Sequence, residues 1–146
     1  MFVYEHAVQY YETDKMSIVH HSNYIRWMEE ARIAFLGQAG LPYVEMEAAG
    51  VVSPVVSLSI AYKKSCRFGD RIRIAVWADS YNGFRLCVGY RMTNSVTGAT
   101  VAEARSQHCF LRDGRVCSLR KELPAMHEHL THAPEERNTW EEAQNT

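Results

Sequence analysis

The sequence has no apolar run long enough for a membrane-spanning helix, which needs about 20 residues. Its longest apolar stretches are interrupted at Ser53, Pro54 and Ser57. The first residues lack the basic start and long apolar core of a secretory signal. Neither sign of charge is in excess, because 16 basic and 17 acidic residues give a net charge of −1. We therefore expect a cytoplasmic protein with no integral membrane segment and no nucleic acid partner.

Paired cysteines and phosphate-binding loops are also missing. The four cysteines are scattered without a C-x-x-C pair, at Cys66, Cys87, Cys109 and Cys117. This spacing favours reduced thiols over disulfides or a zinc site. No G-x-G-x-x-G, P-loop or G-x-S-x-G motif occurs, so dinucleotide enzymes, nucleotide hydrolases and serine hydrolases have no support. The expected metal and cofactor content is none.

The 146 residues, 47% of them hydrophobic, have the size of one domain that begins with a strand and a helix. Residues 2–10 are rich in Val, Tyr and Phe, which is typical of a strand. From Ser22 onward, apolar residues recur at three- and four-residue steps, at Ile25, Met28, Ala31, Phe35 and Ala39. This period predicts a helix with Ser22 or Asn23 as its N-cap and Gly40 just beyond its end.

The remainder of the domain is predicted to be mainly β-structure. After a short helical turn over 43–49, strand-like runs occupy about 51–63, 71–81, 84–95, 99–112 and 115–119. Asn-Gly and Asp-Gly pairs between the runs indicate hairpins. The pattern predicts an α+β protein whose antiparallel sheet curls around one long helix. We expect this domain to cover residues 1–130, and residues 131–146 to form a polar, frayed tail that is helical in part.

Ionisable and aromatic residues are concentrated between the first strand and the helix. They have the spacing T-D-x6-H-x2-Y-x4-E-x-A-R, which begins at Thr13-Asp14 and ends at Arg32. A carboxylate beside a helix N-terminus can attack an activated carbonyl or deprotonate a water molecule. The free N–H groups of the helix can stabilise the resulting oxyanion. The cluster therefore suits acyl transfer from an activated carbonyl compound.

This spacing resembles the signature of the hotdog-fold acyl-CoA thioesterases, in particular the 4-hydroxybenzoyl-CoA thioesterase family and its Tol-Pal-associated branch. The resemblance continues at Tyr62, at 68–70, in the hairpin 110–114 and in the segment 119–124, so that it covers roughly residues 2–127. It implies a hotdog fold, hydrolysis of acyl-CoA or acyl carrier protein thioesters, and no cofactor. It also implies a homodimer or tetramer with active sites between subunits.

The resemblance assigns roles to individual residues. Asp14 takes the position of the catalytic carboxylate, as nucleophile or general base. His21 takes the position of the histidine near the thioester and is the second candidate catalytic residue. Tyr24 and Glu29 match the helix signature and are candidate substrate-binding residues. Two alternatives stay open for Glu29, which is either a second catalytic carboxylate or the partner of Arg32 in an i,i+3 ion pair.

Positive charge is concentrated at the entry to one strand, at Lys63, Lys64, Arg67, Arg71 and Arg73. Such a run commonly protects a sheet edge from pairing with another sheet. Because coenzyme A carries phosphates, the run is also a candidate binding site for its nucleotide part, with Lys63, Lys64 and Arg67 as the contacts. Acyl carrier protein is acidic and is a further candidate for the same residues.

Two departures from the family pattern affect the loop beside the catalytic carboxylate. Ser17 and His20 stand where relatives often have glycine and an aromatic residue. Activity or substrate preference is therefore expected to differ from that of the family. Two other functions stay open. One is a hotdog dehydratase acting on 3-hydroxyacyl thioesters, with a histidine and Glu29 as acid and base. The other is a non-catalytic module that binds acyl thioesters.

Overall fold

An antiparallel sheet curls around one long helix in the computed structural model, which describes residues 1–40 and 43–144 and the side chains up to residue 134. The strands are β1 Phe2–Ala7, β2 Val51–Val52, β3 Val55–Tyr62, β4 Arg71–Tyr81, β5 Arg85–Asn94, β6 Thr100–Cys109, β7 Leu111–Arg112 and β8 Arg115–Val116. The helices are α1 His21–Gln38, α2 Tyr43–Ala48, α3 Leu119–Glu122 and α4 Pro124–Gln144. A 3-10 turn covers Tyr10–Glu12.

The main sheet has five strands in the order β1-β4-β5-β6-β3, and β2, β7 and β8 form a small second sheet. Alternate residues of the central strands are buried, as a sheet with one covered face requires. On β4 and β5 these are Ile72, Ile74, Val76, Ala78, Leu86, Val88, Tyr90 and Met92. They form one core cluster with Trp27, Met28 and Ala31 of α1. The predicted α+β architecture is confirmed.

The start of α1 differs from its prediction, whereas its end agrees. His20, rather than Ser22 or Asn23, is the N-cap residue, and its ring nitrogen accepts a hydrogen bond from the Ser22 N–H. An imidazole can replace the usual hydroxyl or carboxylate there because its unprotonated nitrogen is also an acceptor. Gly40 follows the helix with φ of 79°, the left-handed conformation that terminates many helices.

The buried face of α1 is rotated relative to the predicted stripe. Ile25 is 37% exposed and Phe35 is half-buried. The buried positions are Asn23, Tyr24, Trp27, Met28, Ala31 and Leu36. Asn23 and Tyr24 carry polar atoms, so they lie outside the predicted apolar pattern. They are buried nevertheless because distant partners satisfy those atoms. Ile25 is left facing the space between α1 and β3.

Two long strand predictions prove to be interrupted. Ser53 and Pro54 separate β2 from β3, because proline cannot donate to the ladder. The run 99–112 likewise divides into β6 and β7. Asp113 and Gly114 both have positive φ, so the predicted tight hairpin between β7 and β8 is confirmed.

The C-terminal segment is helical to Gln144, which is more than the partly helical tail that the sequence predicts. Helix α4 crosses the expected boundary at residue 130 and contacts β4. The buried side chains of Met126 and Leu130 explain this packing. The division into a domain to residue 130 and a tail from 131 remains a prediction. Within the described ranges, none of the helices is long and apolar enough to cross a bilayer.

Candidate active site

A cavity of about 330 Å³ lies where the loop before α1 meets the end of β3. Five of the seven predicted site residues line it, namely Asp14, His21, Tyr24, Lys63 and Lys64. We call this space the first cavity. Tyr62, which the sequence analysis named only as part of the resemblance, also lines it. Residues up to 50 positions apart in the sequence, from loop, helix and strand, therefore meet around one space.

The Asp14 carboxylate is held by its own loop. Its Oδ1 atom accepts a hydrogen bond of 2.8 Å from the Met16 N–H, and its backbone N–H donates to the Ile18 carbonyl. Ser17 closes the loop with φ of 62°, a conformation that favours glycine. This explains physically why glycine suits the position. The Oδ2 atom of Asp14 has no hydrogen-bond partner among the described residues, so it is available to a ligand.

The N-terminus of α1 lines the same cavity. The N–H groups of Ser22 and Asn23 are both bonded to His20, through its ring and its carbonyl respectively. The N–H of His21 has no acceptor within the part of the chain that the structure describes. A free N–H at the positive end of a helix dipole is suited to stabilise an oxyanion.

Aromatic rings form one wall of the first cavity. The Tyr62 hydroxyl donates to the His21 carbonyl at 3.0 Å, and the Tyr62 ring packs edge-on against Tyr24 with centroids 5.1 Å apart. Burial raises the pKa of Tyr24 well above its ordinary value, and its contact with Cys66 raises it further. Tyr24 is therefore a neutral phenol that contributes shape and packing.

Glu12 is an important residue that sequence reasoning missed. Its side chain is buried, and its carboxylate accepts hydrogen bonds from Trp27 Nε1 at 2.6 Å and from the Gln9 N–H at 2.8 Å. The His6 ring lies 2.8 Å from the same carboxylate. Burial alone would raise the pKa of Glu12, but the hydrogen bonds from Gln9, His6 and Trp27 outweigh it and lower the pKa.

The backbone of Glu12 joins the Asp14 loop to α1. Its carbonyl accepts from Asn23 Nδ2 at 2.8 Å and from the His20 N–H at 2.9 Å. Glu12 therefore fixes the segment that carries Asp14 relative to the helix N-terminus at His21. The only sequence signal was a carboxylate within an aromatic stretch, and it did not identify these partners.

Glu29 and Arg67 lie apart from the first cavity. Glu29 lines a second cavity farther along α1, and Arg67 is exposed and lines neither cavity. Among the described residues Glu29 and Arg32 form no ion pair, so that alternative is wrong. Arg32 instead contacts His108 of β6 at 3.1 Å.

Among the side chains that the structure describes, no three His, Cys, Asp or Glu residues are grouped as a metal site requires. All four cysteines are free thiols. The ionisable groups that line the first cavity include the Asp14 carboxylate, the His21 ring and two lysines, and the N-terminus of α1 lies beside them.

Comparison with known proteins identifies the family. The model of the thioesterase-like superfamily matches residues 8–133. The chain belongs to this superfamily. A Bacillus subtilis protein named as a candidate acyl-CoA thioesterase is 37% identical over 124 residues, which cover 84% of this chain and 90% of that protein.

Solved structures of similar proteins share the fold of this superfamily member. A hypothetical protein from Aquifex aeolicus superposes with a TM-score of 0.81 at 33% identity, covering 86% of this chain and 98% of that one. A DHNA-CoA thioesterase from Staphylococcus aureus superposes with a TM-score of 0.85 at 25% identity, covering 99% and 94%. The expected hotdog fold, with its antiparallel sheet around a long helix, is confirmed.

Proposed function

We propose that this protein hydrolyses acyl-CoA thioesters to a free acid and a thiol, with the reaction centred on Asp14. The observation that carries the proposal is the first cavity, where the free oxygen of Asp14 and the N-terminus of α1 line the same space. The thioesterase relatives and the lysines at the cavity edge support an acyl-CoA substrate. The 4-hydroxybenzoyl-CoA thioesterase assignment and its Tol-Pal-associated branch rest on the motif spacing alone.

The chemistry needs only groups that the cavity contains. The Asp14 carboxylate either attacks the thioester carbonyl, forming an acyl-enzyme anhydride that water then hydrolyses, or removes a proton from the attacking water. In both routes the carbonyl oxygen becomes negative and accepts a hydrogen bond from the His21 N–H. The C–S bond then breaks and the coenzyme leaves as a thiolate. Protonated Asp14 gives it a proton in the general-base route, and water does so in the nucleophile route.

A panel of thioesters tests this proposal directly. Aliphatic and aromatic acyl-CoAs and an acyl carrier protein thioester are incubated with the protein and a thiol-reactive dye. Release of free thiol supports hydrolysis, and the preferred carrier identifies the partner. Hydration of an enoyl thioester without thiol release indicates the dehydratase function that involves Glu29. Saturable binding without any turnover indicates a non-catalytic module, and either result contradicts the proposal.

Lys63 and Lys64 are expected to bind the phosphates of coenzyme A. Replacing either with alanine should raise KM for acyl-CoA about three- to tenfold and change kcat little, the pattern of lost uniform binding. Added salt should reduce the effect, because exposed phosphate contacts are screened. Arg67→Ala, farther from the first cavity, is the comparison and should have a smaller effect. An unchanged KM for both lysine variants would favour protection of the sheet edge.

A homodimer or tetramer is the expected assembly. β3 is an edge strand of the main sheet and exposes Val55, Val56, Leu58 and Tyr62. An exposed apolar edge favours pairing with another chain, and this edge borders the first cavity through Tyr62. Light scattering at micromolar concentration should give at least twice the 16.7 kDa mass of one chain. A clean monomer would contradict the interfacial active site.

A further inference from the structure

The second cavity, of about 220 Å³, lies between α1 and the sheet. Its walls are the apolar side chains of Ile25, Met28, Val55 and Leu58. Tyr90 of β5 and Ser106 of β6 form a polar floor, and Arg32 reaches it from α1. Apolar walls with a few convergent polar groups are typical of a binding site for a small ligand with a polar end.

Both cavities follow the same seam between α1 and β3. His21 and Tyr62 line the first cavity, whereas Ile25, Arg32 and Leu58 line the second. Positions four and seven residues apart on a helix share one face, and positions four apart on a strand do so as well. Leu58 lies about 13 Å along β3 from Tyr62, at about 3.3 Å per residue. A ligand with its reacting group in the first cavity therefore extends its far end toward the second.

Arg32 supplies the positive charge of the floor. Its Nη1 atom lies 3.1 Å from Nδ1 and 3.2 Å from Nε2 of His108. Because these two distances are nearly equal, the guanidinium lies against the His108 ring and does not point along the lone pair of one ring nitrogen. Burial, together with the charge of Arg32, lowers the pKa of His108 to about 4, so the ring is neutral at neutral pH. Among the residues described, no carboxylate forms an ion pair with Arg32.

The hydroxyl groups of the floor are bonded to each other. The Tyr90 hydroxyl lies 2.8 Å from Ser106 Oγ, which lies 2.7 Å from His108 Nε2. The Ser106 hydroxyl thus joins the Tyr90 hydroxyl to the His108 ring. The two hydroxyl groups are partners within the cluster, whereas Arg32 carries five N–H donors and uses only some of them at His108 and Tyr90. The floor is therefore suited to an acceptor and to negative charge.

We propose that the second cavity binds the far end of the acyl group and selects chains that end in a carboxylate, which Arg32 holds. The proposal rests on the proposed thioester hydrolysis at Asp14. A carboxylate matches the planar guanidinium with two parallel hydrogen bonds, whereas a hydroxyl group engages one. Glu29, at the same cavity, is exposed, and water screens its charge. The substrate class is the monothioester of a medium-chain dicarboxylic acid.

Suberoyl-CoA and octanoyl-CoA provide a matched pair, because they have equal chain length and differ in the terminal carboxylate. The wild-type kcat/KM should favour suberoyl-CoA by at least tenfold. Arg32→Met should abolish this preference, mainly through KM for suberoyl-CoA. Arg26→Met is the matched control, because Arg26 is an exposed arginine of α1 that lines neither cavity. The proposal is overturned if the wild type shows no preference, or if both variants keep it equally.

A binding measurement separates failure of this site from failure of the proposed hydrolysis. Suberate and octanoate are titrated into wild-type protein while the Nε–Hε NMR signal of Arg32 is followed, with Arg32→Lys used to assign it. A saturable shift with suberate and none with octanoate supports the site even if no thioester is hydrolysed. Equal shifts, or none, overturn it. Because this readout uses the wild type, it holds even if Arg32→Met fails to fold.

Discussion

Asp14→Asn is expected to lower kcat by about a hundred- to ten-thousandfold, the usual effect of removing a general base, and by more if Asp14 is a nucleophile. Asparagine retains the side-chain oxygen that accepts from the Met16 N–H, so the loop keeps its shape. It removes the negative charge that attacks the thioester. KM and melting temperature should stay close to wild type, and steady-state kinetics with thermal unfolding measure all three.

Glu29→Gln is the paired substitution for the second carboxylate of the motif. Glu29 lines the second cavity and not the first, so its replacement should reduce kcat less than Asp14→Asn. The assignment is wrong if Asp14→Asn keeps more than about a tenth of wild-type kcat while Glu29→Gln abolishes activity. In that case the reacting carboxylate belongs to α1.

Features determined by neighbouring residues could be predicted from the sequence. The pair Asp113-Gly114 specifies its hairpin because both residues tolerate positive φ. Gly40 ends α1 for a similar reason. The proximity of Asp14 to the N-terminus of α1 also follows from short-range order, since the Asp14 loop runs directly into the helix that begins at His21. Lys63 and Lys64 could be predicted as candidate site residues because their run of positive charge is visible in the sequence.

Contacts between distant positions could not be predicted in this way. The Arg32–His108 contact joins residues 76 positions apart, and Glu12 meets Trp27 across 15 positions. Local spacing instead suggested Glu29 as the partner of Arg32. The sheet determines which residue Arg32 contacts, because β6 places the His108 ring beside α1 while Glu29 remains exposed. A single sequence gives the period of a helix. It does not show which polar group from a distant part of the chain lies against that helix.

Glu12→Ala is expected to destabilise the fold by about 3 kcal/mol, because several donors lose one buried acceptor. The indole N–H of Trp27, which is 0% exposed, would be left without its carboxylate partner. For a domain of this size the melting temperature should fall by roughly 6–12 °C. Thermal unfolding followed by circular dichroism measures the change. Glu30→Ala is the matched control, because Glu30 contacts the same His6 ring from an exposed position and should contribute less than about 1 kcal/mol.

The pH dependence of the stability lost in Glu12→Ala identifies the Glu12 carboxylate as the cause of that loss. The pKa of Glu12 in the folded protein lies below its ordinary value of 4.5. The unfolded chain therefore binds a proton first as the pH falls, and the stabilisation by Glu12 is complete above that value and is lost below it. The gap in stability between wild type and Glu12→Ala should narrow as the pH drops below 4.5. A gap that stays constant to pH 3, or one that Glu30→Ala reproduces, would show that the ionised Glu12 does not hold the loop. Because that loop carries Asp14, loss of this anchor should lower kcat as well as stability.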